Sequence, residues 1–474
     1  MILVVVAAYF AAMIWIGIRS ARKIRGVDSF FVADRQGSTL LITGSLLATI
    51  VGGSSTVGMA GKGFSWGLVG SWWILVGVVG LLLLSCFLAR KIQQYGLFTL
   101  PELLERQYGP SVRIAASVVI LWAWLGIIGG QIVAAGKILT TMVTVDLSLV
   151  MAVSTGVFIL YTILGGQISI IRTDTVQSGI LIAGIVWCAW LALERCGGMG
   201  ELKAQLPPDF FRFPVNAYFS WEQLLGWLVL VGSAYLVGPD IYSRLFSSRD
   251  GLTARRSVLF TALTLIPLAF AIVLIGMAAR VLGPSISAEE AFPYIIREVL
   301  PWGINALVMA ALLCAVMSSA DTVLLTSSTI LTTDVVNNLV MKFRGRALAE
   351  KTMLSFSRLA VVLLGLIALG LALEFQGIIR LLLLGYSIYT AGLVVPVVLG
   401  FAGHRLRLNA AGAMAAILGG GGWVILSRTS ALIHLNLGEL IPLSPGLQGV
   451  LLSAFLLFLG SYVFRSCDRR KRSQ

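Results

Sequence analysis

The stretch Ala315-Val-Met-Ser318-Ser319-Ala-Asp321-Thr322 lies inside a long apolar run. It sets two adjacent hydroxyls and a carboxylate among neighbours that are almost all hydrocarbon. An ionisable side chain in the middle of a membrane segment is costly and marks a functional position. Serine hydroxyls and a carboxylate offer hard oxygens, which suit a small hard cation. The stretch therefore predicts a membrane helix that carries a candidate ion site.

The rest of the chain agrees with a membrane setting. Its 474 residues are 58% hydrophobic and only 12% charged, with a mean hydropathy of +0.94. Apolar runs of roughly 20 residues recur along it, the length that crosses a bilayer. About thirteen such spans are expected, so the fold class is an all-α polytopic membrane protein. The formal net charge of +14 does not point to nucleic acid, because of where the charge sits. Basic residues gather at Arg19 to Arg25, Arg90-Lys91, Arg244 to Arg256, Lys342 to Lys351, His404 to Arg407 and Arg469 to Arg472. These are alternate loops and the C-terminus. By the positive-inside rule the N-terminus is expected outside and the C-terminus in the cytoplasm. The expected location is a cell membrane crossed many times, a bacterial inner membrane.

The first apolar run has no basic segment before it, so a retained helix is expected rather than a cleaved leader. The five cysteines are scattered, without metal-binding spacing. Between spans, Gly96-Leu-Phe-Thr-Leu-Pro101-Glu-Leu-Leu-Glu105 predicts a short interfacial helix that starts at Pro101.

Two spans are interrupted by glycine. One reads Ala48-Thr-Ile-Val51-Gly52-Gly53-Ser54-Ser55-Thr56, the other Val231-Gly232-Ser233-Ala-Tyr235-Leu-Val-Gly238-Pro239-Asp240. Such breaks free backbone carbonyls, which are tolerated at depth around a cavity or ligand; close packing of helices through small residues is the plainer alternative. With the first span set aside, the breaks open two consecutive sets of five helices. An odd number of helices per set inverts the second relative to the first, a recurrent transporter plan with ligands bound near the breaks. The expected organisation is an extra N-terminal helix over 1–21, a first repeat over 39–194, a second over 220–402, two further helices over 409–465 and a basic tail over 466–474.

These features resemble the sodium/solute symporter family, which includes sodium-coupled proline, galactose and pantothenate carriers. The resemblance also rests on Tyr161-Thr-Ile-Leu-Gly165-Gly166, Arg172-Thr-Asp174-Thr-Val-Gln177, Gly238-Pro-Asp-Ile-Tyr-Ser-Arg244, Asp334, and Tyr386-Ser-Ile-Tyr-Thr-Ala-Gly392. It implies the leucine-transporter-like five-plus-five inverted repeat. It also implies a Na+ site built from the carbonyls of Ala48, Val51 and Ala315 and the hydroxyls of Ser318 and Ser319. All five ligands are neutral and none takes up a proton in the accessible pH range, so such a site suits Na+ rather than H+. Hydroxyls bonding back to their own helix are the alternative.

The resemblance further implies a second cation site at Asp174 with hydroxyls of the Ser318 helix. Here the chain departs from the pattern: Asp321 stands where a hydroxyl residue is expected, followed by Thr322. Two carboxylates would deepen a cation well, or would share one proton; Asp321 pairing with a basic residue, and Asp174 as a solvated carboxylate opening its helix, are the other readings. Solute contacts are expected from Ser54, Ser55 and Thr56, from Trp72 and above all Trp73, and from Gln131, Tyr235 and Tyr386. No basic residue stands out at mid-membrane, and Lys62 and Lys137 are expected to snorkel outward. The expected function is Na+-coupled symport of a small polar solute, an amino acid such as proline ahead of a monocarboxylate. A proton-coupled carrier is the alternative. With His404 and His434 at span ends or in loops, no catalytic constellation is visible, so an enzyme is not expected.

Overall fold

The structure, a computed structural model, describes residues 11, 15, 18–19, 26–140, 145–301, 303–432 and 443–472. The expected N-terminal span lies largely outside the described residues, as do the end of the basic tail and the side chains of its remainder. Among the described residues, eleven helical stretches are long and apolar enough to cross a membrane. One of them, Ser54–Gln94, runs for 41 residues, about 60 Å and twice the hydrocarbon thickness. It folds back at the 3-10 turn Gly67–Ser71, which brings Gly70 against Lys62 and Gly63. The stretch therefore supplies the second half of the pass that Thr39–Ile50 begins, and then one whole pass.

Helix starts follow from side chains that accept orphan N–H groups. Ser38 accepts from Leu41 N–H and opens Thr39–Ile50. Asp250 accepts from Thr253 N–H at 2.7 Å and opens Gly251–Leu282. Thr99 caps Leu100–Tyr108, with Pro101 in its first turn. This is the short helix expected between spans.

Burial sorts inner helices from outer ones. The apolar window of Ile304–Arg344 is 94% buried and that of Pro110–Thr140 83%, against 28% for Pro445–Phe464 and 39% for Glu350–Glu374. Two helices thus form the centre. The outer ones turn residues such as Leu359, Leu363, Phe455 and Phe458 outward, as lipid-facing surfaces do.

The central Pro110–Thr140 helix is tied at both ends. Near its start, Arg113 reaches Glu105 at 2.6 Å and Asp334 at 2.6 Å. Near its other end, Lys137 pairs with Glu289, ahead of the short helix Ala291–Glu298. Lys62 does not enter the interior either; its ammonium lies 3.7 Å from the centre of the Trp66 ring.

Candidate functional site

Both glycine-interrupted spans are broken. Thr39–Ile50 ends where Val51 leaves helical geometry at φ −86°, ψ 62°, and the chain resumes in a π-helical turn over Ser54–Gly58. The second breaks at Gly238 (φ −57°, ψ 122°), and Pro239–Ser247 starts there. Glycine is required at the first break by close approach. A Cβ at Gly52 would lie 2.4 Å from Ser319 Oγ, and one at Gly53 would lie 2.2 Å from Ala134 Cβ. The break is therefore wedged between the two central helices.

The groups freed by the break are satisfied locally. Gly53 N–H donates to Gln131 Oε1 at 3.0 Å. Ser55 donates to Ile50 C=O at 2.6 Å, and Thr56 to Gly52 C=O at 2.8 Å. Ser319 Oγ lies 2.8 Å from the carbonyl of Thr49, 3.0 Å from that of Ala315 and 3.3 Å from that of Ala48. One hydroxyl and three carbonyl oxygens thus converge from two helices. Ala48, Ala315 and Ser319 lie together; Thr49 joins them, and Val51 makes no bond to Ser319.

Ser318 turns the other way and donates to Asp174 Oδ1. It is part of a second cluster, wholly buried. Asp174 Oδ2 accepts from Ser45 at 2.5 Å and from Arg244 at 3.3 Å. The same guanidinium donates to Ser45 at 3.1 Å, Ser243 at 3.0 Å and Thr322 at 2.5 Å. Thr322 and Thr49 hydroxyls lie 3.4 Å apart, which joins the two clusters. Asp321 Oδ1 accepts from Thr162 at 2.9 Å, while its buried Oδ2 has no hydrogen-bond partner among the described residues.

Two expectations are corrected here. Asp174 does not open a helix in solvent: its helix resumes at Gly166, after a kink with φ 55°, and Asp174 lies two turns further on, buried. Arg244, counted above with a basic loop, is fully buried and bound to Asp174. A basic residue therefore does sit inside the bundle, and it pairs with Asp174 rather than with Asp321. The signal for it was its place four residues after Asp240, in the half-helix that follows a break. Ser45 and Thr49, four apart ahead of the other break, carried the same kind of signal.

Beside the first cluster is a cavity of about 40 Å³. Ser54, Gln131, Tyr235 and Tyr386 line it, as does Asp240, which sequence reasoning left out. Ser55 and Thr56 instead satisfy the break, and Trp73 is buried edge-on against Trp227 at 5.3 Å. Among the described residues no group of three or more His, Cys, Asp or Glu is placed to hold a metal ion.

Residues 30–420 match the model of the sodium:solute symporter family. The chain belongs to the sodium:solute symporter family. Relatives of this chain include the sodium/glucose cotransporter 4 of Danio rerio, 28% identical over 76% of this chain and 61% of that protein. Another is the osmoregulated proline transporter OpuE of Bacillus subtilis, 25% identical over 93% of this chain and 92% of that one. The chain spans about three fifths of the length of the glucose carrier. Among solved structures, a Na+-coupled sialic acid symporter in a substrate-bound outward-open state superposes with a TM-score of 0.79 at 18% identity, over 98% of each chain. That likeness shows the fold, which is leucine-transporter-like. The family and its members named here are carriers, not enzymes, and the chain is a multi-pass membrane protein.

Proposed function

We propose that this chain is a secondary active carrier that couples the entry of Na+ to that of a small polar organic solute by alternating access. The observation that carries this reading is the convergence of Ser319 Oγ with the carbonyls of Ala48, Thr49 and Ala315 at the broken helix. Neutral oxygens from two helices suit a hard monovalent cation. Ser318, one residue away, links that position to Asp174. Na+ arriving there would replace the Ser319 hydrogen bonds by coordination and so change how the two helices hold each other. The solute would occupy the adjoining cavity, against Ser54, Gln131, Tyr235 and Tyr386. An amino acid such as proline is the favoured solute, supported by the resemblance to a proline transporter over nearly its full length. The N-terminus is assigned outside and the C-terminus to the cytoplasm, of a bacterial inner membrane, from the alternation of basic loops. The test is uptake into proteoliposomes under an imposed Na+ gradient, with K+ as control. Accumulation that follows the gradient supports the reading, and uptake indifferent to Na+ refutes it.

A second reading concerns Asp321. Its unpartnered Oδ2 favours a further cation, Na+ or a proton, held there with Thr162. Asp174 and Thr322 are already engaged by Arg244, so Asp321 is the member of this cluster with coordinating capacity to spare.

A further inference from the structure

The cavity beside the broken helices has a single ionisable carboxylate in its wall. Its lining is otherwise neutral: Thr49, Ser54, Gln131 and Ser319 supply polar atoms, Tyr235 and Tyr386 supply rings, and the remainder is aliphatic. The carboxylate is Asp240, in the first turn of Pro239–Ser247. Its Oδ1 folds back over the break, 2.7 Å from where a Cβ on Gly238 would stand, so glycine at 238 is what leaves it room. The nearest candidate counter-ion is Arg244, one turn along the same helix. That guanidinium makes its hydrogen bonds to Ser45, Asp174, Ser243 and Thr322. Among the described residues Asp240 makes no ion pair at contact distance, although Arg244 lies within electrostatic range of it. Both tyrosines of the cavity lie within electrostatic range of it and of each other.

A carboxylate whose one nearby cation is already bound to Asp174 favours further positive charge opposite it in a low-dielectric wall. The rings of Tyr235 and Tyr386 line the same cavity and add to this preference wherever a cation meets a ring face, because the ring quadrupole attracts it. We infer that the solute carries an ammonium group, primary to quaternary, which sits between the Asp240 carboxylate and the rings of Tyr235 and Tyr386. This rests on the carrier reading above and narrows its solute class. It sets against the site those solutes that are purely anionic, since a monocarboxylate would face Asp240 with like charge. It also sets apart polyols, which need hydrogen bonds but no charge.

The experiment is a thermal-shift titration of the purified full chain with L-proline, glycine betaine, choline, D-glucose, myo-inositol and lactate, each with Na+ and with K+. A ligand that binds only the folded state raises the unfolding midpoint. At least one of the three ammonium-bearing solutes should stabilise the protein, and the polyols and lactate should not. Asp240→Asn should weaken that solute roughly 10- to 100-fold, the loss expected for one desolvated charge contact, hydrogen-bonded where the ammonium bears an N–H. Tyr386→Phe keeps the ring and should hold affinity, whereas Tyr386→Leu should lose roughly 3- to 30-fold. The shift by Na+ alone, retained in each variant, reports that the variant is folded. Stabilisation by a polyol or lactate but by no ammonium solute would overturn the inference, as would an unchanged affinity in folded Asp240→Asn. A Na+ response with no ammonium response leaves the carrier reading standing and removes this one. An ammonium response indifferent to Na+ supports the ligand class and removes the coupling ion.

Discussion

Arg244 and Asp174 meet 3.3 Å apart inside the bundle, both sealed from solvent. The pair joins the half-helix that follows the second break to the helix that begins at Gly166. Its remaining valences go to Ser45, Ser243, Thr322 and Ser318, so neither charge is left bare. Removing one partner of such a pair strands the other. Arg244→Met is expected to destabilise the fold by about 3–5 kcal/mol, while the same change combined with Asp174→Asn should recover much of that loss. Unfolding midpoints in detergent for the single and double variants measure the coupling. Simple additivity of the two losses would mean that the pair does not act as a unit.

Ser319 and Ser318 are neighbours with different partners, and their variants should separate. Ser319→Ala removes the hydroxyl that lies among three carbonyls. It should raise the Na+ concentration for half-maximal uptake roughly 5- to 150-fold, which corresponds to about 1–3 kcal/mol. Ser318→Ala should also weaken Na+ activation, with a further loss of stability because Asp174 forfeits a donor. Equal Na+ activation in wild type and both variants, at normal expression, would take these serines out of the ion site.

The approach of Gly53 to Ala134 offers a steric test. Gly53→Ala forces a methyl to within 2.2 Å of the Ala134 Cβ, an overpacking expected to cost about 1–3 kcal/mol. Ala134→Gly in the same chain removes the opposing carbon. Uptake and thermal midpoint should fall in the single variant and return in the pair. Failure of Ala134→Gly to rescue would show that the backbone at 53, rather than the contact, is what matters.

For Asp321, the comparison is Na+ cooperativity. Should it hold a second Na+, the Hill coefficient of wild-type uptake exceeds one and falls toward one in Asp321→Ala. Should it hold a proton, the coefficient stays near one and the dependence of uptake on pH flattens in the variant. Wild-type behaviour on both axes would leave Asp321 as a hydrogen-bond acceptor for Thr162 and nothing more.

The class of fold was legible because the bilayer imposes it: apolar runs of spanning length leave few alternatives. The breaks were legible through Gly52-Gly53 and Gly238-Pro239, since a helix interrupted at depth has to have a reason. The hydroxyl of Ser319 at the break was legible through its place in that frame, but its neighbour Ser318 was not separable from it. On a helix the two point about 100° apart, and only the tilt of neighbouring helices decides which partner each meets. Arg244 was misread because a basic residue near the end of a span looks the same whether it snorkels out or turns in. The difference lies in Asp174, far away in sequence. Asp240 was quoted as part of a break, but nothing local indicated that its carboxylate would fold back into the cavity instead of outward.

The double grip of Arg113 predicts how this end of the bundle opens. One side chain fastens Glu105, in the short Leu100–Tyr108 helix, and Asp334, in the π-helical turn Ile330–Val336. Neither segment can swing away while the guanidinium holds both. Their amide protons should therefore exchange with solvent at one shared rate, set by release of the clasp, rather than at rates proper to each. Ease of opening at this end of the bundle is then a property of a single arginine, and slow exchange in both segments would rise together when it is replaced.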